Sequence, residues 1–247
     1  MKWVYFIAVI MLMSSCKTVN VFMEPKSERT AAVDSLDYAF FYNGDYQYEI
    51  RKDDKISISV WGQDELSVGS TYGIYNSNEV YGKWLMVDAN GNISVPKIGE
   101  MNVLCMTTVE LKDTLTARLS KWVVNPIVDV KVLNKQITVM GEVCTPSVLK
   151  VDKDQNMLME MIARCEGFAP YANIKYVKVL RQSGEHVIVA NIDLSESGNY
   201  VYKNIQLLPG DIVVVPSKRY KEFDRRITVI IPFTTAITAA AILVTAF

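Results

Sequence analysis

Apolar and polar positions alternate strictly through Ile56, Ser57, Ile58, Ser59 and Val60, which puts the Ile and Val side chains on one face of a strand. A short strand at residues 48–50 and a charged turn at Lys52–Lys55 are expected just before it. Residues 63–83, rich in Gly, Ser, Asn and Tyr, break the pattern and read as an exposed loop. Two apolar runs then flank Asp88-Ala89-Asn90-Gly91, which predicts a hairpin turning there, with Pro96 ending or edging its second strand. Val109, Leu111, Leu115, Leu119 and Trp122 recur at helical spacing, and Thr107 or Thr108 is placed to cap the start. Alternation returns in "NPIVDVKVL", with Ile127, Asp129 and Lys131 on one side and Val128, Val130 and Val132 on the other.

A second unit with the same rhythm begins near Lys135. A strand "QITVMGEV", a turn "CTPS" and a strand "VLKV" lead into a helix over 156–168, with Leu158, Ile162 and Cys165 on one stripe and Gly167 placed to stop it. Strands "KYVKVLR" and "HVIVANIDL" flank the turn "QSGE", and Pro209-Gly210-Asp211 turns the chain into a last, buried-type strand. The predicted fold class is α+β: two small mixed α/β domains, each a sheet with one helix. Asp88, Gly91, Pro96, Gly99, Gly141, Gly167, Pro209, Gly210 and Asp211 are assigned structural turn roles: Gly91 supplies a positive φ, and Gly99 and Gly141 relieve crowding beside strands.

The two ends follow other rules. Met1-Lys2 precedes eleven uncharged residues that close on Ser14-Ser15, the build of a secretory leader and too short to span a bilayer. The stretch Met13-Ser14-Ser15-Cys16 resembles a bacterial lipobox, although Leu is commoner than Met at its first place. That resemblance implies cleavage after Ser15 and acylation of Cys16, several chains making attachment to membrane lipid stable where one binds only marginally. Lys17 stands where an inner-membrane lipoprotein typically carries Asp, which favours the outer membrane. At the other end, residues 227–247 hold no charge and, as a helix, reach about 31 Å, a bilayer's hydrocarbon thickness. "KRYKEFDRR" before them suits lipid headgroups. Thr228, Thr234, Thr235, Thr238 and Thr245 fall within about one third of that helix's circumference and are the candidate pore-facing residues. A plain C-terminal anchor is the alternative. Five segments result: a lipoprotein signal peptide (1–15), a lipidated tether (16–45), two domains (46–133 and 134–217), and a basic linker with a C-terminal transmembrane helix (218–247).

Composition narrows the chemistry. With 26 basic and 27 acidic residues mixed along 247, net charge is −1, and no nucleic-acid surface is implied. Cys105, Cys144 and Cys165 remain after Cys16; one disulfide plus a free thiol is open, while their apolar neighbours favour three buried thiols. His186 is the single histidine, so a His-rich metal site is excluded, and no GxSxG, P-loop or GxGxxG occurs. Asp88, Glu142 and Asp211 are acids a glycosidase could recruit, but their turn positions point to solvation or scaffolding. No catalytic residue, metal or cofactor is expected.

The ordered series "YEIRKDDKISISVW", "DANGNISVPKIGEM", "TTVELKDTL" and "NPIVDVKV" resembles the N-terminal domain of outer-membrane polysaccharide export proteins, the Wza family. "VMGEVCTPSVLKV", "MLMEMIARCEGF", "LRQSGE", "NIDL" and "LLPGDIVVVP" resemble the β-grasp-like SLBB domain that follows it there. Asp53 stands where that family often has Gly, Ser147 where a Gly usually follows the Pro, and Glu166 where a small residue is usual. The resemblance implies a lipoprotein of the outer membrane with periplasmic domains, forming a homo-oligomeric ring of Thr- and Ala-striped helices through which a capsular or exopolysaccharide leaves. An inner-membrane copolymerase or tyrosine kinase is the implied partner. The other reading is a monomeric, membrane-anchored periplasmic module that binds saccharide or protein.

Overall fold

The computed structural model describes residues 38–63, 66–67, 84–195, 203–225 and 227. The alternation at 55–60 becomes strand β1 (Lys55–Val60), whose Ile56, Ile58 and Val60 are all buried. β1 lies between β2 (Leu85–Met86) and β5 (Val128–Val132), antiparallel to both, with Ile56 opposite Val132 and Val60 opposite Val128. Helix α1 (Thr108–Leu119) covers this sheet with Leu111, Leu115 and Leu119, one turn apart and all fully buried. Its start is fixed by a capping box: Thr107 Oγ1 accepts from the Glu110 amide at 3.2 Å, and the Glu110 carboxylate accepts from the Thr107 amide at 2.8 Å.

Three expectations for this first domain are corrected. The strands on either side of 88–91 do not pair with each other: β2 is taken up by β1, and β3 (Asn92–Val95) pairs instead with β4 (Gly99–Asn102). Residues 88–91 still reverse the chain, with Asp88 accepting from the Asn90 and Asn92 amides. The strand expected at 48–50 is reduced to one bridge between Glu49 and Thr107. Val109 and Trp122, counted on the apolar stripe of α1, are more than half exposed, because the buried arc needs only the three leucines.

In the second domain β6 (Gln136–Gly141) and β12 (Ile212–Val215), its first and last strands, run parallel as central neighbours. Antiparallel β7 (Ser147–Lys150) flanks β6; antiparallel β9 (Val177–Ser183) and β10 (His186–Ile192) extend the other side. Gly141 makes the central pair possible: a Cβ there would stand 2.1 Å from the Val215 carbonyl oxygen, which accepts from the Glu142 amide at 2.8 Å. Helix α2 (Leu158–Arg164) is shorter than the predicted 156–168. Its expected first turn is extended, as β8 (Asn156–Met157) pairing with β11 (Gln206–Leu207). Its expected last turn unwinds through Glu166 (φ 63°) and Gly167 (φ 86°), whose carbonyl then accepts from Cys144. Each domain has its own apolar core. Of the three cysteines among the described residues, Cys165 is buried while Cys105 and Cys144, against expectation, are exposed, and all three are free.

Candidate functional site

Arg51 to Asp54 leads into β1, and Leu208 to Asp211 leads into β12. The two turns are built alike. In each, the third residue has positive φ (Asp53, 64°; Gly210, 98°), and the amide of the aspartate donates to the carbonyl of the first residue. The aspartate carboxylate in turn accepts from the amide of that first residue at 2.8 Å. Both carboxylates are buried, Asp54 at 5 % and Asp211 at 2 % exposure, so each must find further partners inside.

Those partners differ. Tyr48 donates its hydroxyl to Asp54, 2.9 Å from Oδ2. Burial holds the Asp54 carboxyl above the ordinary carboxylate range, against the opposing pull of the Arg51 amide and the Tyr48 hydroxyl. The same burial, with Asp54 alongside, raises the Tyr48 phenol. Asp211 instead meets Arg181 in a two-pronged ion pair, Nε to Oδ1 at 3.0 Å and Nη2 to Oδ2 at 2.7 Å.

The turns meet across the domain junction. Arg51 Nη1 donates to the Pro209 carbonyl at 3.2 Å, and the ring of Tyr48 in the first domain has two cations 5.4 Å from its centre, Arg51 and, from the second domain, Lys135. Asn134 ties the linker to the first turn: its Oδ1 accepts from the Lys55 amide at 2.9 Å and its Nδ2 donates to the Asp53 carbonyl at 3.0 Å.

Upstream, residues 38–45 of the stretch expected to be a tether form a clasp over the second domain. Phe40 is fully buried in that domain's core, with the Arg181 guanidinium 4.5 Å from its ring centre. Arg181 Nη1 also donates to the Ala39 carbonyl, and Nη2 to that of Gln206 at 2.9 Å. The Asn43 amide donates to Gln206 Oε1 at 2.7 Å, while Gln155 accepts from the Tyr42 hydroxyl and donates to the Gly44 carbonyl. A cleft of about 360 Å³ opens along the clasp, lined by Phe41, Tyr42, Asn43, Tyr46, Arg181 and Gln206 among others. At the chain's outlet, Lys221 pairs with Glu142, Tyr220 packs edge-on to Tyr171, and residues 221–225 are helical.

The sequence-predicted residues divide by location. Ser15, Cys16, Thr228, Thr234, Thr235, Thr238 and Thr245 lie outside the described residues. No helix among the described residues is long and apolar enough to cross a membrane. Gly91, Gly99, Gly141, Gly167 and Gly210 all have positive φ, but Gly99, unlike Gly141, relieves no crowding, since a Cβ there would meet nothing within 4 Å; Asp88 closes its own turn and Pro96 follows the last residue of β3. Pro209, Gly210 and Asp211 are at the junction; the other turn residues are not brought to it. Among the described residues no three potential metal ligands cluster, and His186 is exposed at the start of β10. Arg51, Arg181, Gln206, Asn134 and the clasp were missed. The available signals were the echo of "RKDD" by "LPGD" and the aromatic run "YAFFYNGDYQY", which begins in the supposed tether and continues into the first domain.

Two family models match in tandem: the polysaccharide biosynthesis/export protein family over residues 43–133 and the SLBB domain over 135–215. Among curated proteins, the chain is 34% identical over 133 residues to the EPS I polysaccharide export outer membrane protein EpsA of Ralstonia solanacearum, a match covering 49% of this chain and 35% of that protein. It is 29% identical over 184 residues to the protein of the same name in Ralstonia nicotianae, covering 69% of this chain and 48% of that protein. The chain thus spans half or less of the length of these relatives.

Proposed function

The chain belongs to the polysaccharide biosynthesis/export family, with an SLBB domain directly after its export domain, and from that premise we propose that it is an outer-membrane lipoprotein whose copies form a channel for capsular or exopolysaccharide. The observation that carries this reading is the consecutive pair of domains, separated by Asn134 alone and joined side chain to backbone through it. The parallel central pair β6 and β12 supports a β-grasp-like second domain. In this reading Cys16 carries the lipid, residues 227–247 form a membrane helix, and several such helices close a barrel with Thr and Ala stripes inward and every backbone group satisfied. The Lys221–Glu142 pair and the Tyr220–Tyr171 contact support a fixed base for that helix on the second domain. The protein's work is then to bind, hold and conduct, and no bond of the polymer is made or broken by it. Polymer and energy come from an inner-membrane copolymerase or tyrosine kinase.

Removal of residues 227–247 tests this directly. Surface polysaccharide disappears in a strain carrying only the truncated chain, while the periplasmic domains keep their thermal transition. Native mass spectrometry of the detergent-extracted, lipidated full chain gives a discrete large oligomer that weakens on truncation. Normal surface polysaccharide in the truncated strain, with a monomer in both forms, sinks the channel and leaves the anchored binding module.

A further inference from the structure

The cleft along the clasp carries two features that the packing of the second domain does not require. At its mouth Phe41 and Tyr42 are 54% and 60% exposed, and Tyr42 is pinned by its hydroxyl to Gln155 at 3.1 Å, leaving its ring in the open. Of the residues lining it, Tyr46 and Gln206 each carry a buried polar group, the hydroxyl and Nε2, that has no hydrogen-bond partner. Gln206 is 2% exposed and its Oε1 is held by the Asn43 amide, so the amide's orientation is fixed and its Nε2 is the spare donor. Two unpaired buried polar groups lining one cleft are a standing cost that a ligand with hydroxyl oxygens removes.

The charge in the wall points the same way. Arg181 is the cation lining the cleft, and Asp211, the Ala39 carbonyl and the Gln206 carbonyl already engage its guanidinium, so the wall has no uncompensated positive charge with which to select an anion. Exposed aromatic rings and neutral hydrogen-bonding groups along one cleft suit a ring with apolar C–H faces and polar edges. The volume, about 360 Å³, is at the small end for ligand pockets and admits a short stretch of a chain.

We propose that this cleft is a saccharide subsite, in which Phe41 and Tyr42 stack on neutral pyranose units and Tyr46 and Gln206 pair with their hydroxyls; it rests on the export reading above. Occupancy is weak and brief, since a conducting site must release what it binds. The site also lies on the clasp, so a bound chain touches the segment that connects the second domain to whatever precedes residue 38.

The test uses the full chain in detergent and, as probe, short oligosaccharides released by mild acid from the host's own surface polysaccharide. Saturation-transfer NMR and titration give millimolar binding to the unaltered protein. Tyr42→Ala weakens it about tenfold. Tyr46→Phe also weakens it, while the thermal midpoint holds or rises, because the hydroxyl removed has no partner in the free protein. Trp61→Ala, an exposed ring at the far end of β1, leaves binding unchanged. No binding, or equal binding by the Tyr42→Ala and Tyr46→Phe variants, overturns the subsite even where the strain exports normally. Normal surface polysaccharide after loss of residues 227–247 overturns export itself, and the subsite with it.

Discussion

The turns 51–54 and 208–211 share backbone geometry, a buried aspartate and a place just ahead of a strand, yet they solve the same electrostatic problem in opposite ways. Asp211 is answered by a cation, Arg181, which in turn holds the clasp. Asp54 is answered by a neutral phenol, and its carboxyl is left above the ordinary range by burial. An aspartate that closes a turn therefore keeps its backbone role whichever partner it has. The partner decides how much of the surroundings depends on it.

The largest difference is expected on removing the partners. Arg181→Met leaves Asp211 buried without its cation and frees the clasp carbonyl, and should lower stability by about 3–5 kcal/mol. Tyr48→Phe removes one hydroxyl from Asp54, which retains the Arg51 amide and can take up a proton, and should lower stability by about 1–3 kcal/mol. Urea unfolding of the two domains followed by tryptophan fluorescence and circular dichroism measures both. Equal losses would show that the ion pair is worth no more than the phenol, and would erase the contrast.

Much of the scaffold, and little of this junction, was legible in the sequence. Ile56, Ile58 and Val60, and the leucines of α1, declare their faces because a sheet and a helix impose periods of their own on the residues they bury. Pairing is less visible: a turn signal at 88–91 tells where the chain reverses but not which neighbour receives the strand, and β4, "GEMN", has little strand character until Asn92–Val95 lies against it. Phe40 looks like tether because its burial depends on a domain that begins nearly a hundred residues later. Cys105 has apolar neighbours yet sits exposed at φ 61°, where the backbone, not hydrophobicity, sets its direction. Arg181 is one of many basic residues on strands, and nothing local marks it as the partner of an aspartate thirty positions on.

The third position of each turn gives a smaller effect with opposite signs. Gly210 at φ 98° has no Cβ to strain, and Gly210→Ala should cost about 1 kcal/mol. Asp53 holds the equivalent place at φ 64° with its amide bonded to the Val87 carbonyl and its carbonyl to Asn134, contacts that a glycine keeps. Asp53→Gly should therefore relieve strain and raise stability slightly, by at most about 1 kcal/mol. Loss of stability in both variants would mean that the Asp53 side chain contributes more to its turn than the backbone strain takes away.

The subtlest contrast is in pH. For Asp54 the folded pKa lies above the unfolded one, so its contribution to stability is complete below the ordinary aspartate value of about 3.9 and is lost as pH rises through the raised folded value. Glu160 in the second domain runs the other way: its hydrogen bond from Lys153, at 2.6 Å, and a second from Arg164, at 2.9 Å, hold its carboxyl below the usual range against partial desolvation. Its contribution is present above the unfolded glutamate value and is lost as pH falls through the lowered folded one. Thermal midpoints measured from neutral pH down to about pH 4 should thus see the unaltered chain gain on Asp54→Asn and lose ground against Glu160→Gln. Parallel pH profiles for all three proteins would mean that neither carboxyl titrates differently once folded. A reversed order would place the unfavourable buried charge in the second domain, where Arg181 already neutralises the one buried carboxylate of its turn.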